Sequence, residues 1–115
     1  MKTVMVVEDD LDYQELLKKK LEEEGYTVIL AGNGEEALEF VKKTQIDLIL
    51  LDLLMPKMDG INFYYKLTSV LQRSTPVIIL TNLSEAAYST GIKDFLIKSD
   101  TSLDEIASKV KKNLE

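Results

Sequence analysis

Short, continuously apolar runs alternate along the chain with longer stretches in which apolar residues return every three or four positions. The runs are Thr3–Val7, Tyr26–Ala31, Leu48–Leu51, Val77–Leu80 and Phe95–Ile97. Runs this short, largely β-branched and without alternation, read as five strands buried on both faces. The first helix is predicted from about Leu11 to Glu24, with Tyr13, Leu17 and Leu21 on one face and Gly25 as the residue that ends it. A second begins after Asn33 and carries Ala37, Leu38 and Val41, and a third follows Gly60 with Ile61, Tyr64, Leu67 and Leu71. A fourth, roughly Ser84 to Thr90, has little apolar stripe and is expected to be the least firmly docked. The fifth has the clearest stripe, Leu103, Ile106, Ala107, Val110 and Leu114, with Ser102 and Glu105 spaced for a capping box. Strict β-α alternation implies a parallel sheet with helices on both faces, joined by right-handed crossovers.

Composition narrows what such a sheet is for. The 115 residues make one domain, 1–115, with a formal net charge of −6; that balance argues against nucleic acid or anionic lipid as a direct ligand. Neither Cys nor His occurs, which removes thiol nucleophiles, zinc-thiolate sites and any phosphohistidine carried by the chain itself. The apolar run after Thr3 is too short for a signal peptide's core or a membrane span, so a cytoplasmic location is expected.

Ligands of open parallel sheets bind outside the carboxyl ends of the strands, so the residues that end the strands matter most. They are Glu8-Asp9-Asp10, Asp52, Thr81-Asn82 and Lys98-Ser99. Carboxylates gathered there would repel unless a cation holds them, and an all-oxygen set with room for water suits Mg²⁺. Asp52 stands inside an apolar run, a costly place for a carboxylate unless it is paired or used. A carboxylate so placed is a candidate phosphoryl acceptor, with Mg²⁺ and Lys98 supplying positive charge and Thr81 a hydroxyl donor.

Together these residues resemble the receiver domains of two-component response regulators, of the chemotaxis-regulator type, over essentially the whole chain. The resemblance rests on Val6-Val7-Glu8-Asp9-Asp10, on Leu51-Asp52-Leu53-Leu54-Met55-Pro56-Lys57-Met58-Asp59-Gly60, and on Thr81, Phe95 and Lys98 in order on successive strands. It implies a flavodoxin-like (βα)5 three-layer sandwich with strand order 2-1-3-4-5. It also implies that Asp52 takes a phosphoryl group from a phosphohistidine of a sensor histidine kinase or phosphotransfer protein. Glu8, Asp9, Asp52 and the Leu54 backbone carbonyl would surround Mg²⁺, Thr81 and Lys98 would bind the phosphoryl group, and Thr81 with Phe95 would form the switch. The output face would be the fourth helix, fifth strand and fifth helix, acting on a downstream protein target or effector domain. Receivers often pair through that face, so a homodimer is one arrangement the resemblance allows.

The chain departs from the family pattern at three positions. Ser99 follows Lys98 where the family usually has proline after a cis bond, so a trans bond and a reshaped loop are expected. In this family the side chains two positions after the acceptor and after the switch hydroxyl border the route of the hydrolytic water; here they are Leu54 and Leu83, which cannot orient a water, so the resemblance implies slow self-dephosphorylation. Met55 and Met58 read as loop packing, Asp59 and Gly60 as the turn into the third helix, and Tyr64 and Tyr65 as one core and one surface aromatic. Two rival readings use the same residues. One is a phosphorylation-independent pseudo-receiver scaffold, towards which Ser99 leans; the other is an aspartyl-nucleophile phosphohydrolase, which wants an acid two residues after Asp52, where Leu54 stands. Flavin binding is weaker still, since the loop after the first strand is acidic and lacks a glycine- and hydroxyl-rich phosphate cradle.

Overall fold

The computed structural model describes residues 1–55, 57–82 and 90–115. Its strands are β1 (Thr3–Val7), β2 (Thr27–Ala31), β3 (Leu48–Leu51), β4 (Val77–Thr81) and β5 (Phe95–Ile97), all parallel in the order β2-β1-β3-β4-β5. The sheet is therefore the flavodoxin-like one, with its reversal of strand order beside β1 and β3.

Side-chain alternation divides the sheet into two cores. Met5, Val7, Ile49, Leu51 and Ile79 face one side, where they meet Ala37, Leu38 and Val41 of α2 (Gly34–Lys43) and Phe63 of α3 (Gly60–Tyr65). Val4, Val6, Leu48, Leu50, Ile78 and Leu80 face the other, against Leu17 and Leu21 of α1 (Leu11–Glu23) and Ile106 and Val110 of the C-terminal helix (Leu103–Leu114). Each aliphatic side chain buried this fully contributes about 1.5–3 kcal/mol. The central strands β1, β3 and β4 thus hold the sheet rigid beneath its carboxyl ends.

Local chemistry fixes the helix ends. Asp10 caps α1 by accepting from the amides of Asp12 (3.0 Å) and Tyr13 (3.2 Å), and Gly25 follows α1 at φ +95°, open to glycine at little cost. Asn33 caps α2 from the Glu36 amide (3.0 Å), Asp59 caps α3 from the Asn62 amide (2.9 Å), and Ser102 and Glu105 form the expected capping box. Asp59 thus shapes the turn into α3, as anticipated.

The third helix corrects the predicted stripe. Ile61 is exposed, and the buried positions are Gly60, Phe63 and Leu67, with Tyr64 and Leu71 half-buried against the same core and Tyr65 exposed. After Tyr65 the helix widens into a π-helical turn, Lys66–Val70, where the Thr68 hydroxyl donates to the Tyr64 carbonyl (2.9 Å). A threonine bonded back in this way competes with the regular ladder; the core-facing set Gly60, Phe63, Tyr64, Leu67 and Leu71 nevertheless keeps ordinary helical spacing, with Ile61 on its exposed flank. The predicted fourth helix, Ser84 to Thr90, lies outside the described residues except for Thr90, as does Pro56. Among the described residues no helix is long and apolar enough to cross a membrane.

Candidate functional site

The buried polar side chains among the described residues are Glu8, Gln14, Asp52 and Thr81. Three of them end strands on one side of the sheet. With Asp9, Asp10, Leu54, Met55, Asn82 and Lys98 they line an open cleft of about 560 Å³ at the carboxyl ends. The backbone places them, since the Glu8 amide donates to the Ala31 carbonyl (2.9 Å) and the Asp52 amide to the Val7 carbonyl (3.0 Å). Each acidic residue is thereby fixed to the strand beside it.

Three carboxylates, Glu8, Asp9 and Asp52, each present an oxygen within 4.8 Å of the others. Oxygen donors in that number and proximity fit a hard divalent ion such as Mg²⁺, which keeps several waters and takes one or two carboxylates. Asp9 is exposed while Glu8 and Asp52 are buried, so the cluster opens to solvent on the Asp9 side. Asp10, first grouped with these carboxylates, lines the cleft but spends its side chain capping α1.

Lys98 reaches into this cluster from β5. Its Nζ donates to Glu8 Oε1 and to Asp52 Oδ2 (3.1 Å) and lies 4.8 Å from the centroid of the Tyr13 ring. Burial pushes the Glu8 carboxyl up to about 7, against the Lys98 bond, which pulls it down, and with the Asp52 charge adding to the rise. For Lys98 burial acts downward, but the hydrogen bond to Glu8 and the charges of Asp52 and Glu8 outweigh it and hold the ammonium above the ordinary lysine value. Burial likewise raises the Tyr13 phenol.

The loop after Lys98 takes the expected trans form, continuing as a 3-10 turn, Lys98–Asp100. Ser99 donates its backbone amide to Asn82 Oδ1 (2.9 Å), a bond that proline has no amide to make. Thr81 is buried at the end of β4. Phe95, two residues before Ile97, is half-buried against the α2 and α3 side and stands outside the cleft lining. Leu54 is 65% exposed at the cleft edge, and Leu83 lies outside the described residues. Met55 is buried and Met58 half-buried, both in the core on that same side, which fits their reading as loop packing.

Three further residues have places at the site that the sequence pattern did not assign to them. Gln14, on α1, donates its amide to the Glu8 carbonyl from beneath. Tyr13, assigned only to the helix's core-facing stripe, underlies Lys98. Gly60 packs so closely that a Cβ there would stand 2.3 Å from the Asp52 carbonyl oxygen and 2.7 Å from Leu53 Cα. Only the glycine itself was visible in the sequence; its contact with the backbone of residue 52 joins segments eight positions apart through a loop.

The family model described as the response regulator receiver domain matches residues 4–111. Among curated relatives, the transcriptional regulatory protein CrdR of Helicobacter pylori is 34% identical over 116 positions, covering 96% of this chain and 54% of that protein. CpxR of Escherichia coli, also a transcriptional regulatory protein, is 46% identical over 81 positions, covering 70% of this chain and 34% of its own length. The chain thus spans about half of the first relative and a third of the second. Among solved structures, the response regulator TrrA of Thermotoga maritima, crystallised in complex with Mg²⁺-BeF, superposes with a TM-score of 0.88 at 36% identity, covering 99% of this chain and 100% of its own. The chemotaxis protein CheY4 of Vibrio cholerae gives 0.86 at 26% identity, covering 99% of both chains. With the sheet order, the acidic cleft and these matches in agreement, the chain belongs to the response regulator receiver domain family.

Proposed function

We propose that the chain, as one receiver domain over residues 1–115, is a phospho-acceptor switch in which Asp52 takes a phosphoryl group from the phosphohistidine of a sensor kinase or phosphotransfer protein. The observation that carries this reading is the convergence on Asp52: a buried carboxylate bonded to the Lys98 ammonium and clustered with Glu8 and Asp9. The Asp52 carboxylate forms a new O–P bond while the donor's N–P bond breaks, its electron pair leaving with the imidazole, which takes a proton from water. Glu8, Asp9, Asp52 and the Leu54 carbonyl would hold Mg²⁺, which when bound supplies positive charge against the phosphoryl oxygens. Lys98, already bonded to Asp52, would add a second positive charge, and the Thr81 hydroxyl would donate to a phosphoryl oxygen. The Mg²⁺-BeF held by TrrA supports the same assignment here.

Thr81 drawn towards the phosphoryl group would let Phe95 follow, biasing the face made by the fourth helix, β5 and the C-terminal helix. CrdR and CpxR are transcriptional regulators longer than this chain, which supports an effector domain or separate protein target as the reader of that face, with a homodimer through it as one form of output. Mg²⁺ is the proposed cofactor, the location is cytoplasmic, and neither nucleic acid nor membrane is a direct ligand. The phosphohydrolase rival lacks its acid, since Leu54 stands at that position. The scaffold rival would leave the Glu8–Lys98–Asp52 pairing without use, at the desolvation cost of two buried carboxyl groups and a half-buried ammonium.

Incubation with Mg²⁺ and a small acyl phosphate, read by intact mass, tests the assignment. The expected result is one phosphoryl group on the wild type, none without Mg²⁺ and none on Asp52→Asn. An adduct that survives in Asp52→Asn would overturn the acceptor site. No adduct from either the small donor or a kinase would favour the scaffold.

A further inference from the structure

Lys98 leaves β5 at one edge of the sheet, yet its Nζ meets Glu8 after β1 and Asp52 after β3, on the far side of β4. Holding a flexible four-carbon stem in that one extended path costs rotamer entropy. The carboxylates of Glu8 and Asp52 hold the ammonium at its end. From α1 the Tyr13 ring meets it 4.8 Å from the centroid, inside the ~6 Å reach of a cation–π contact. Below the ion pairs, Tyr13, Leu17, Leu50 and Leu80 help line a void of only about 10 Å³, at or below what a single water needs. Water is therefore kept from the lower side of the ammonium, the condition under which a cation–π contact is strongest.

We infer that Tyr13 is a positioning residue for Lys98, its ring face holding the ammonium where it meets the phosphoryl group on Asp52. This rests on the phospho-acceptor reading above. The two carboxylates that now hold Lys98 are the ones that would turn to Mg²⁺ and to phosphorus, whereas the ring has no other ligand to serve. The contact with Tyr13 thus persists through the reaction, and the lysine stays poised when its anionic partners are engaged elsewhere. The phenol oxygen takes no part, so phenylalanine should serve equally well.

Two measurements on the whole chain test this separately. In protein labelled with ¹³C-lysine, the Lys98 methylene signals, assigned by their absence from Lys98→Met, should be displaced upfield by the ring in the wild type and in Tyr13→Phe, and should return to ordinary values in Tyr13→Leu. With Mg²⁺ and acyl phosphate, Tyr13→Phe should be phosphorylated within about twofold of the wild-type rate and Tyr13→Leu about tenfold more slowly. In a Lys98→Met background Tyr13→Leu should add nothing. Tyr13→Met serves as the second variant if Tyr13→Leu does not fold. A full additional loss in the Lys98→Met background, equal damage from Tyr13→Phe, or undisplaced methylene signals would each overturn the assignment. A wild type that accepts no phosphoryl group would sink the acceptor reading and the transfer role with it, while the methylene signals would still show whether the contact itself had failed.

Discussion

The two ends of the sheet make a useful contrast. At the amino ends, between the close of α2 and the segment before β4, lies a groove of about 660 Å³, lined by Lys42, Lys43, Gln45, Arg73 and Thr75 among others. It is larger than the cleft at the carboxyl ends. Its lysines nevertheless stay in water, Lys42 and Lys43 pairing loosely with Glu39 at 3.6 and 3.9 Å with all three side chains more than half exposed, and its half-buried carboxylate, Asp47, only accepts from the Thr3 amide (2.7 Å). Such pairs contribute little. The smaller cleft instead holds Glu8, Asp52 and Thr81, with Gln14 beneath them, and each of these polar groups has given up water. Desolvation costs free energy unless a partner or a task offsets it, so the place where the fold tolerates that cost is the place to look for chemistry. Volume alone points to the opposite end of the sheet.

The sharpest way to break the contrast is to add one methyl group at each end. Gly60→Ala would drive a Cβ to 2.3 Å from the Asp52 carbonyl oxygen. The expected loss is about 3 kcal/mol in urea unfolding, with phosphorylation falling further than stability because the acceptor's backbone must shift. Gly25→Ala, before β2, has open space around the new Cβ and only its φ of +95° to resist it, so about 1 kcal/mol and no change in phosphorylation are expected.

The buried carboxyl of Glu8 gives the second test. Its pKa is raised from 4.5 to about 7 in the folded chain, so between those values the folded state binds more protons than the unfolded one. Stability without metal should therefore be fully present near pH 4.5 and fall as pH rises through about 7, by a few kcal/mol at most. Urea midpoints in chelator across that window should show the slope, and Glu8→Gln should flatten it. Mg²⁺ affinity should move the opposite way, weakening as pH drops below about 7.

Smaller effects are expected at the rim and least at the amino ends. Leu54→Asn puts an amide that can hold water at the edge of the cleft, and loss of the phosphoryl group, followed by intact mass, should quicken several-fold. A decay no faster than that of the wild type would discard the slow-hydrolysis argument. Lys42→Ala and Arg73→Ala should change unfolding by no more than about 0.5 kcal/mol and leave phosphorylation untouched. A marked effect there would mean that the larger groove matters after all.

Much of this architecture was legible because β1, β3 and β4 are buried on both faces and so appear as unbroken apolar runs; β1 and β3 begin and end where those runs do, whereas β2 and β5, at the sheet edges, show similar runs but are only partly buried, against the expectation of five strands buried on both faces. Asp52 stood out for the same reason, as a charge set in such a run. The third helix was misread at Ile61 because the stripe was started one residue late: Gly60, Phe63, Tyr64, Leu67 and Leu71 keep the i, i+3, i+4, i+7, i+11 spacing, which leaves Ile61 on its exposed flank. Tyr13 and Gln14 kept their roles hidden for a different reason. An aromatic on a helix's inner face looks like core packing, and a glutamine on a charged helix looks like solvent surface, until tertiary structure sets one under Lys98 and the other under Glu8. Asp10 was over-read, since three adjacent acids in the sequence do not show which one caps a helix.

The bond from the Ser99 amide to Asn82 gives the chain a native reporter. The Ser99 amide, whose nitrogen lies 2.9 Å from Asn82 Oδ1 across the ends of β4 and β5, exchanges with deuterium when that bond opens. Its exchange rate, compared before and after the acceptor is loaded, would read how often the loops after β4 and β5 release one another at Asn82 and Ser99, with no residue changed. A relative with proline at this position has no such proton to follow.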